Sequence, residues 1–378
     1  MNYQYDIGII GGGLAGLALS IQLARAGHAV VLFEKEEYPF HRVCGEYISN
    51  ESKDFLTGLG LDLPGLGVSD ISTLHLSDKN GKLLQQELPL GGFGISRYIL
   101  DAQLAKLAKE AGVNLFENSK VNDVVFTGKD FDIDTGKEHY SVKVAVSSFG
   151  KRSNLDIKWK RSFSSASKNK LNNFIGVKYH IQGYFHEHII SLHLFNNGYC
   201  GLVKVEGDKY NLCYLTTADN LQQCGNDIEK METTILSRNP HLREIFQHGR
   251  KCNESPVTIS QISFDKKEQV ENHILMVGDA AGMITPLCGN GMSMALHGSK
   301  LAATEIRQFL SGAISREVME RNYRHAWDEQ FAARLRMGRR IQSLFGNQRL
   351  LSALMNIGRR LPFIISYLVK KTHGKPFN

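Results

Sequence analysis

At 378 residues the chain exceeds the roughly 150 of one typical domain, so one large domain or two interleaved ones are expected. Hydrophobic residues make up 42% and charged residues 22%, a globular composition that excludes disorder, collagen and coiled coil. The net charge of +7 sits at one end. No acidic residue follows Glu329, whereas Arg334, Arg336, Arg339, Arg340, Arg349, Arg359, Arg360, Lys370, Lys371 and Lys375 do.

Tyr5–Ile10 reads as a buried strand, followed by Gly11-Gly12-Gly13-Leu14-Ala15-Gly16 and a helix from about Leu14 to Ala26 that Gly27 stops. The apolar run Ile7–Ala24 has the length of a membrane span. Five glycines fall in its first ten positions, however, and Asp6 is the sole nearby charge, so neither a span nor a leader is expected. A second strand, Ala29–Phe33, ends in Glu34. Gly11 permits the tight turn, Gly13 lets a pyrophosphate approach the backbone, and Gly16 lets helix and strand pack closely. The helix N-terminus offers N–H groups and a positive dipole end to phosphates. Glu34 stands where an acid binds both ribose hydroxyls and repels a 2′-phosphate, which disfavours NADP in this site.

A helix at Leu100–Ala111 and a strand near Asn114–Phe116 follow. Further on, Phe174–Ile181, His188–Phe195, Tyr199–Val205 and Tyr210–Thr216 alternate as strands of an antiparallel sheet. His186 and His188 share a strand face with His180 and His193 near, but no carboxylate or cysteine completes a metal set, so no metal is expected. The six cysteines are scattered without a CxxC pair, as expected of free thiols in a cytoplasmic protein.

A short strand next delivers Gly278-Asp279, whose carboxylate can accept hydrogen bonds from a polyol chain. The loop Pro286-Leu287-Cys288-Gly289-Asn290-Gly291-Met292 then opens a helix from about Met292 to Phe309, its N–H groups aimed at an electron-rich ring. FAD has a ribityl chain and a flavin that becomes anionic when reduced; NAD has neither. FAD is the expected cofactor. In the tail, Leu344, Phe345, Leu350, Leu351, Leu354, Ile357 and Leu361 are interleaved with the basic residues at helical spacing. One or two amphipathic helices follow from that spacing. They either pack on the protein's own core or meet an anionic membrane surface peripherally. No recognised nucleic-acid motif accompanies the charge.

These motifs resemble the FAD-dependent superfamily of p-hydroxybenzoate hydroxylase-type monooxygenases, geranylgeranyl reductases and flavin-dependent halogenases, over most of Met1 to about Phe309. The resemblance implies an α/β fold: a Rossmann-type FAD-binding domain, an inserted antiparallel β-sheet substrate domain and a helical C-terminus. The expected division is 1–72, 95–160 and 268–310 for FAD, 73–94 and 161–267 for substrate, and 311–378 for the tail. It also implies that Asp279 binds the ribityl–pyrophosphate region, that Arg97 in Gly94-Ile95-Ser96-Arg97 contacts FAD, and that the Pro286–Met292 loop faces the flavin.

The cofactor-binding set is then Gly11, Gly13, Ala15, Gly16, Glu34, Lys35, Arg42, Arg97, Gly278, Asp279, Gly289, Gly291 and Met292. The catalytic residues stay open. Pro286, Leu287, Gly289, Asn290 and Gly291 face the flavin, and Cys44 and Tyr199 are candidates for the pocket. Arg42-Val43-Cys44-Gly45-Glu46 resembles the Cys-Gly loop of the reductases and halogenases, and Gly282 stands where many hydroxylases carry histidine. The hydroxylases' Asp-Gly motif is altered: its aspartate is Phe149 and its terminal arginine is Asp156. That leaves open whether NADPH or NADH docks transiently or a separate reductase supplies electrons. The tandem-tryptophan motif of tryptophan halogenases is absent, since Trp159 and Trp327 are far apart.

The activity expected is monooxygenation of an aromatic or polyketide-like hydrophobic substrate. The alternative is double-bond reduction of a polyprenyl or other lipid. A halogenase and a non-catalytic, flavin-loaded, membrane-associated binding protein rank below these.

Overall fold

The computed structural model describes residues 3–164, 174–262, 264–344, 358–360 and 362–378. Its first sheet is built on the buried strands β1 (Tyr3–Ile10) and β2 (Val30–Phe33), joined by helix α1 (Leu14–Arg25). The remaining strands of this sheet are β6 (Asn114–Phe116), β7 (Asp123–Phe126), β8 (Phe131–Asp134), β9 (His139–Ser147), β16 (Val270–Glu271) and β17 (Ile274–Met276). The order is β16-β17-β9-β1-β2-β6, with the hairpin β7–β8 attached to β9. From β17 to β6 the strands run parallel. Parallel strands need crossovers, and α1 together with α3 (Arg97–Glu110) supplies them on one face. Helices α8 (Gly291–Leu310) and α9 (Arg316–Leu344) stack beyond α1, and Tyr323 of α9 donates to the Met276 carbonyl at 2.6 Å.

The second sheet has the order β14-β10-β13-β12-β11-β4-β5-β3, with β15 also on β10. It comprises β3 (Tyr47–Ser49), β4 (Ser69–Ser77), β5 (Leu83–Gly94), β10 (Phe174–Gln182), β11 (Ile189–Phe195), β12 (Gly198–Lys204), β13 (Tyr210–Thr217), β14 (Arg250–Lys251) and β15 (Val257–Ile262). Its pairings are antiparallel except at one seam, where β4 and β11 run parallel. The seam arises because two chain segments far apart in sequence meet there and no hairpin dictates their direction.

Three helices lie where the sequence pattern indicated strands alone: α5 (Ala218–Gln223), α6 (Ile228–Thr234) and α7 (Pro240–His248). The signals for them are end caps. Asp227 accepts from Lys230 N at 3.0 Å, and Asn239, with Pro240 at the first helical position, accepts from His241 N at 2.9 Å. Their apolar residues Met231, Leu242 and Ile245, with Leu236 from the turn between α6 and α7, cover Tyr179, Leu212 and Tyr214 of the sheet.

Two short helices, α2 (Lys53–Gly58) and α4 (Asn154–Lys158), close loops, and α10 (Pro362–Thr372) is the last described helix. The tail residues Phe345, Arg349, Leu350, Leu351, Leu354, Ile357 and Leu361 lie outside the described residues. Among the described residues no helix is long and apolar enough to cross a membrane.

Candidate dinucleotide site

The site forms where the first sheet's parallel strands end. Gly11 adopts φ +103° and packs against the Phe149 backbone, and a Cβ at Gly16 would overlap the Gly11 carbonyl and the Ser148 hydroxyl. Both glycines are therefore required by close approach. Helix α1 starts at Gly13 with no side-chain cap and no acid in its first turn, leaving its N-terminal N–H groups for an anion.

Glu34 is buried and accepts from Gly12 N at 2.9 Å and Glu36 N at 3.1 Å, and it pairs with Arg42 at 2.9 Å. Arg42 also reaches Asp101 at 3.2 Å, and Asp101 takes two hydrogen bonds from Arg97, each of 2.7 Å. The outer guanidinium nitrogen of Arg97 lies 3.8 Å from the Cβ position of Gly13. Glu34, Arg42, Asp101 and Arg97 thus form one charge chain beside the glycine turn. Lys35 does not join it; its exposed side chain pairs with Glu36 at 3.3 Å. Tyr38 was not read from the sequence, yet its hydroxyl donates to the Gly12 carbonyl and its ring lies over the turn.

The second motif meets the first directly. Gly278 has φ +61°, and its Cβ position is 3.2 Å from the Ala15 methyl. Two buried cations hold the loop that follows. Lys267 donates to the carbonyls of Asp279 (2.8 Å) and Lys151 (2.9 Å), and Arg161 donates to that of Ala280 (3.1 Å). Arg161 pairs with Asp156 at 2.9 Å, and Asp156 also caps α4 by accepting from Ser153 N. The acid in place of the hydroxylases' arginine is therefore part of a local ion pair. Burial pushes Lys267 down to about 8. Gly282 is glycine because the Trp327 ring of α9 lies 2.8 Å from its Cβ position.

The loop Pro286–Met292 leads into α8. Asn290 precedes the helix without capping it; its amide instead donates to the Thr372 carbonyl at 2.8 Å. The chain end passes over this helix start. Phe377 N donates to the Glu51 carbonyl (3.1 Å), and its ring stacks on His297 at 4.2 Å and meets Phe55 at 5.3 Å. Burial pushes His297 down to about 4, so it stacks as a neutral ring. Tyr47, another residue not singled out by sequence, stands 3.4 Å from the Cβ position of Gly289.

Cys44 is half-buried beside Arg97, and its carbonyl accepts from Asn211 at 3.1 Å. Two residues on, Glu46 is fully buried at φ +55° and pairs with Lys178 and with His180 (2.6 Å). Tyr199 is buried against the Leu287 backbone, its phenol raised well above 10 by burial. The histidines disperse: His180 on Glu46, His193 on Ser77 (2.8 Å), His188 on the Asp70 carbonyl (2.9 Å), and His186 against the His75 ring. Among the described residues no three His, Cys, Asp or Glu side chains are grouped as metal ligands.

A cleft of about 600 Å³ opens outside the Phe40–Glu46 loop, lined by residues including His41, Tyr98, His180, Lys209, Arg250 and Lys251. The residues around the glycine turn fit a dinucleotide. The uncapped α1 start would hold the pyrophosphate, Glu34 the ribose, Asp279 the ribityl chain and the start of α8 the flavin edge.

Residues 9–56 match the NAD(P)-binding Rossmann-like domain family. Over nearly the whole chain, the structure superposes on a flavin-dependent brominase, Bmp2, with a TM-score of 0.80 and 18% identity, covering 99% of this chain and 94% of that one. The chain has the fold of that brominase.

The probable FAD-dependent monooxygenase PqsL of Pseudomonas aeruginosa superposes with a TM-score of 0.74 at 15% identity, covering 93% of this chain and all of that one. A geranylgeranyl bacteriochlorophyll reductase-like protein of Thermoplasma acidophilum gives 0.75 at 17% identity, over 95% and 92%. By sequence the chain is 26% identical to conditioned medium factor receptor 1 of Dictyostelium discoideum, over 86% of this chain and 68% of that protein. It is 24% identical to a 1H-pyrrole-2-carbonyl-[peptidyl-carrier protein] brominase of Pseudoalteromonas luteoviolacea, over 82% and 79%.

Proposed function

We propose that the chain is an FAD-dependent oxidoreductase that works as an NAD(P)H-driven monooxygenase on an aromatic or polyketide-like hydrophobic substrate. The observation that carries this reading is the apolar wall against the flavin-facing loop. Phe174, Leu194, Tyr199, Leu215, Phe264 and Met283 form one buried cluster, with Leu287 of the loop packed on it. Bound FAD, once reduced, supplies the electrons for dioxygen activation. A substrate ring seated against this wall would be shielded from water and held by apolar burial. The N–H groups at the start of α8 offer fixed donors to negative charge on the flavin edge. Tyr199, kept neutral by burial, holds the Leu287 backbone and does not serve as a base. Lys209, Arg250 and Lys251 line the outer cleft with the charge that a dinucleotide donor's phosphates would meet.

One observation favours a second reading, alkene reduction on a polyprenyl chain. The Cys44 thiol, half-buried beside Arg97, would be the proton donor in that reading.

The test is reduction by NADPH or NADH under argon, followed by oxygen admission with a panel of hydrophobic phenols, using labelled dioxygen. Monooxygenation puts one labelled oxygen atom in the product and the other in water. Saturation of a polyprenyl alkene without oxygen would replace it with the reductase reading.

A further inference from the structure

Helix α10 buries one face and leaves another uncovered. Ile365 packs against Leu84 of β5, with Val369 and Leu76 beside them, and Thr372 is buried. On the other side Phe363 and Tyr367 are 66% and 56% exposed. They are four residues apart and so lie one above the other on the helix surface. Arg360, Lys370 and Lys371 are also exposed and flank the two rings at three- and four-residue spacing. The Lys371 ammonium lies 5.4 Å from the Tyr367 ring centre. Arg359 donates to the Leu83 carbonyl at 3.2 Å, which ties the segment before α10 to the start of β5. Residues 330–378 hold no Asp or Glu, so no acidic side chain of the tail opposes these cations.

We propose that this face of α10 docks on an anionic lipid surface. Large aromatic side chains are costly to leave in water, and an aromatic pair on the outer side of a helix matches the headgroup level of a bilayer. The adjoining cations match lipid phosphates, each worth about 1 kcal/mol at an anionic surface, or roughly five-fold in partitioning. At 11 residues the helix is too short to span a bilayer and lies along its surface. A nucleic-acid strand would need a basic groove to track its backbone, whereas this face is the convex side of a helix.

The docked helix ends at Thr372, whose carbonyl holds Asn290 before α8. Docking is thus joined by one hydrogen bond to the loop that faces the flavin. The proposal does not depend on the reaction the flavin performs.

The full chain is sedimented with vesicles of phosphatidylcholine and phosphatidylglycerol, and with phosphatidylcholine alone. It is expected to pellet with the mixed vesicles, less so at high salt, and to stay in solution with the neutral ones. Lys370→Gln with Lys371→Gln should weaken partitioning roughly 25-fold. Phe363→Ser with Tyr367→Ser should abolish pelleting, while the melting temperature stays at the wild-type value because both rings are exposed. Failure to pellet with mixed vesicles would overturn the proposal. So would equal binding to neutral vesicles, pelleting unchanged in both double variants, or displacement by a single-stranded oligonucleotide.

Discussion

Replacing Glu46 by glutamine perturbs the most enclosed charge cluster of the site. Glu46 is fully buried and Lys178 is 1% exposed, and the carboxylate also accepts from Arg97 N at 2.8 Å and pairs with His180 at 2.6 Å. Burial alone would raise the carboxyl, but Lys178 and His180 hold it below its usual 4.5. Glutamine keeps the shape, removes the charge, and leaves the Lys178 ammonium buried without a counter-ion. Removing one partner of a buried pair costs about 3–5 kcal/mol. At roughly 2.1 cal/mol/K of unfolding entropy per residue, a chain of this size melts about 1.3 °C lower per kcal/mol, so Tm should fall by about 4–6 °C. Adding Lys178→Met removes the orphaned charge and should restore most of the loss. Because the folded carboxyl titrates below the unfolded one, the stabilisation is present above the unfolded value and is lost as pH falls through the folded value. The gap between wild type and Glu46→Gln should therefore close at acid pH. Thermal melts of the wild type, both single variants and the double variant across that range provide the assay. A Glu46→Gln melt superimposable on wild type, or a double variant as unstable as the summed singles, would refute the reasoning.

Glu34→Ala removes the acceptor for Gly12 N and the partner of Arg42; at about 1.5–3 kcal/mol for charged hydrogen bonds, the FAD Kd should rise roughly 10- to 150-fold, read by flavin fluorescence titration. Phe377→Ala empties the slot between His297 and Phe55, costing up to about 3 kcal/mol of local packing, and should speed FAD release, measured by stopped-flow dilution. Lys267→Met should flatten the alkaline stability profile. Wild-type Lys267 titrates at about 8 when folded and 10.5 when unfolded, so its contribution rises with pH between those values and is lost as pH falls through about 8; denaturant melts at both ends of that window check it.

The nucleotide-binding half was legible because its signals are local. The β1–α1–β2 unit is written in an apolar run broken only by Ser20 and Gln22, three consecutive glycines and an acid, and no distant residue is needed to read it. The start of α8 was readable for the same reason, with strand, Gly-Asp and a glycine loop in sequence order. What escaped depends on contacts between remote segments. Tyr47 and Tyr38 carry no spacing that links them to Gly289 or Gly12, and the parallel seam of β4 with β11 joins stretches more than a hundred residues apart. Helices α5–α7 were hidden by their brevity, although Asp227 and the Asn239-Pro240 pair mark their starts. The roles of Lys178, Lys267 and Arg161 were unreadable because a lone cation in a sequence looks solvated, and only folding reveals that each is buried on a carboxylate or a carbonyl.

The most direct test of the account is the visible absorption spectrum of the chain after incubation with FAD and removal of unbound flavin, repeated with Glu34→Ala. Stoichiometric, retained flavin in the wild type and its loss in the variant are the predicted results. A wild-type chain that retains no flavin, or a variant that retains it equally well, would contradict the assignment of the glycine turn and Glu34 as the FAD site.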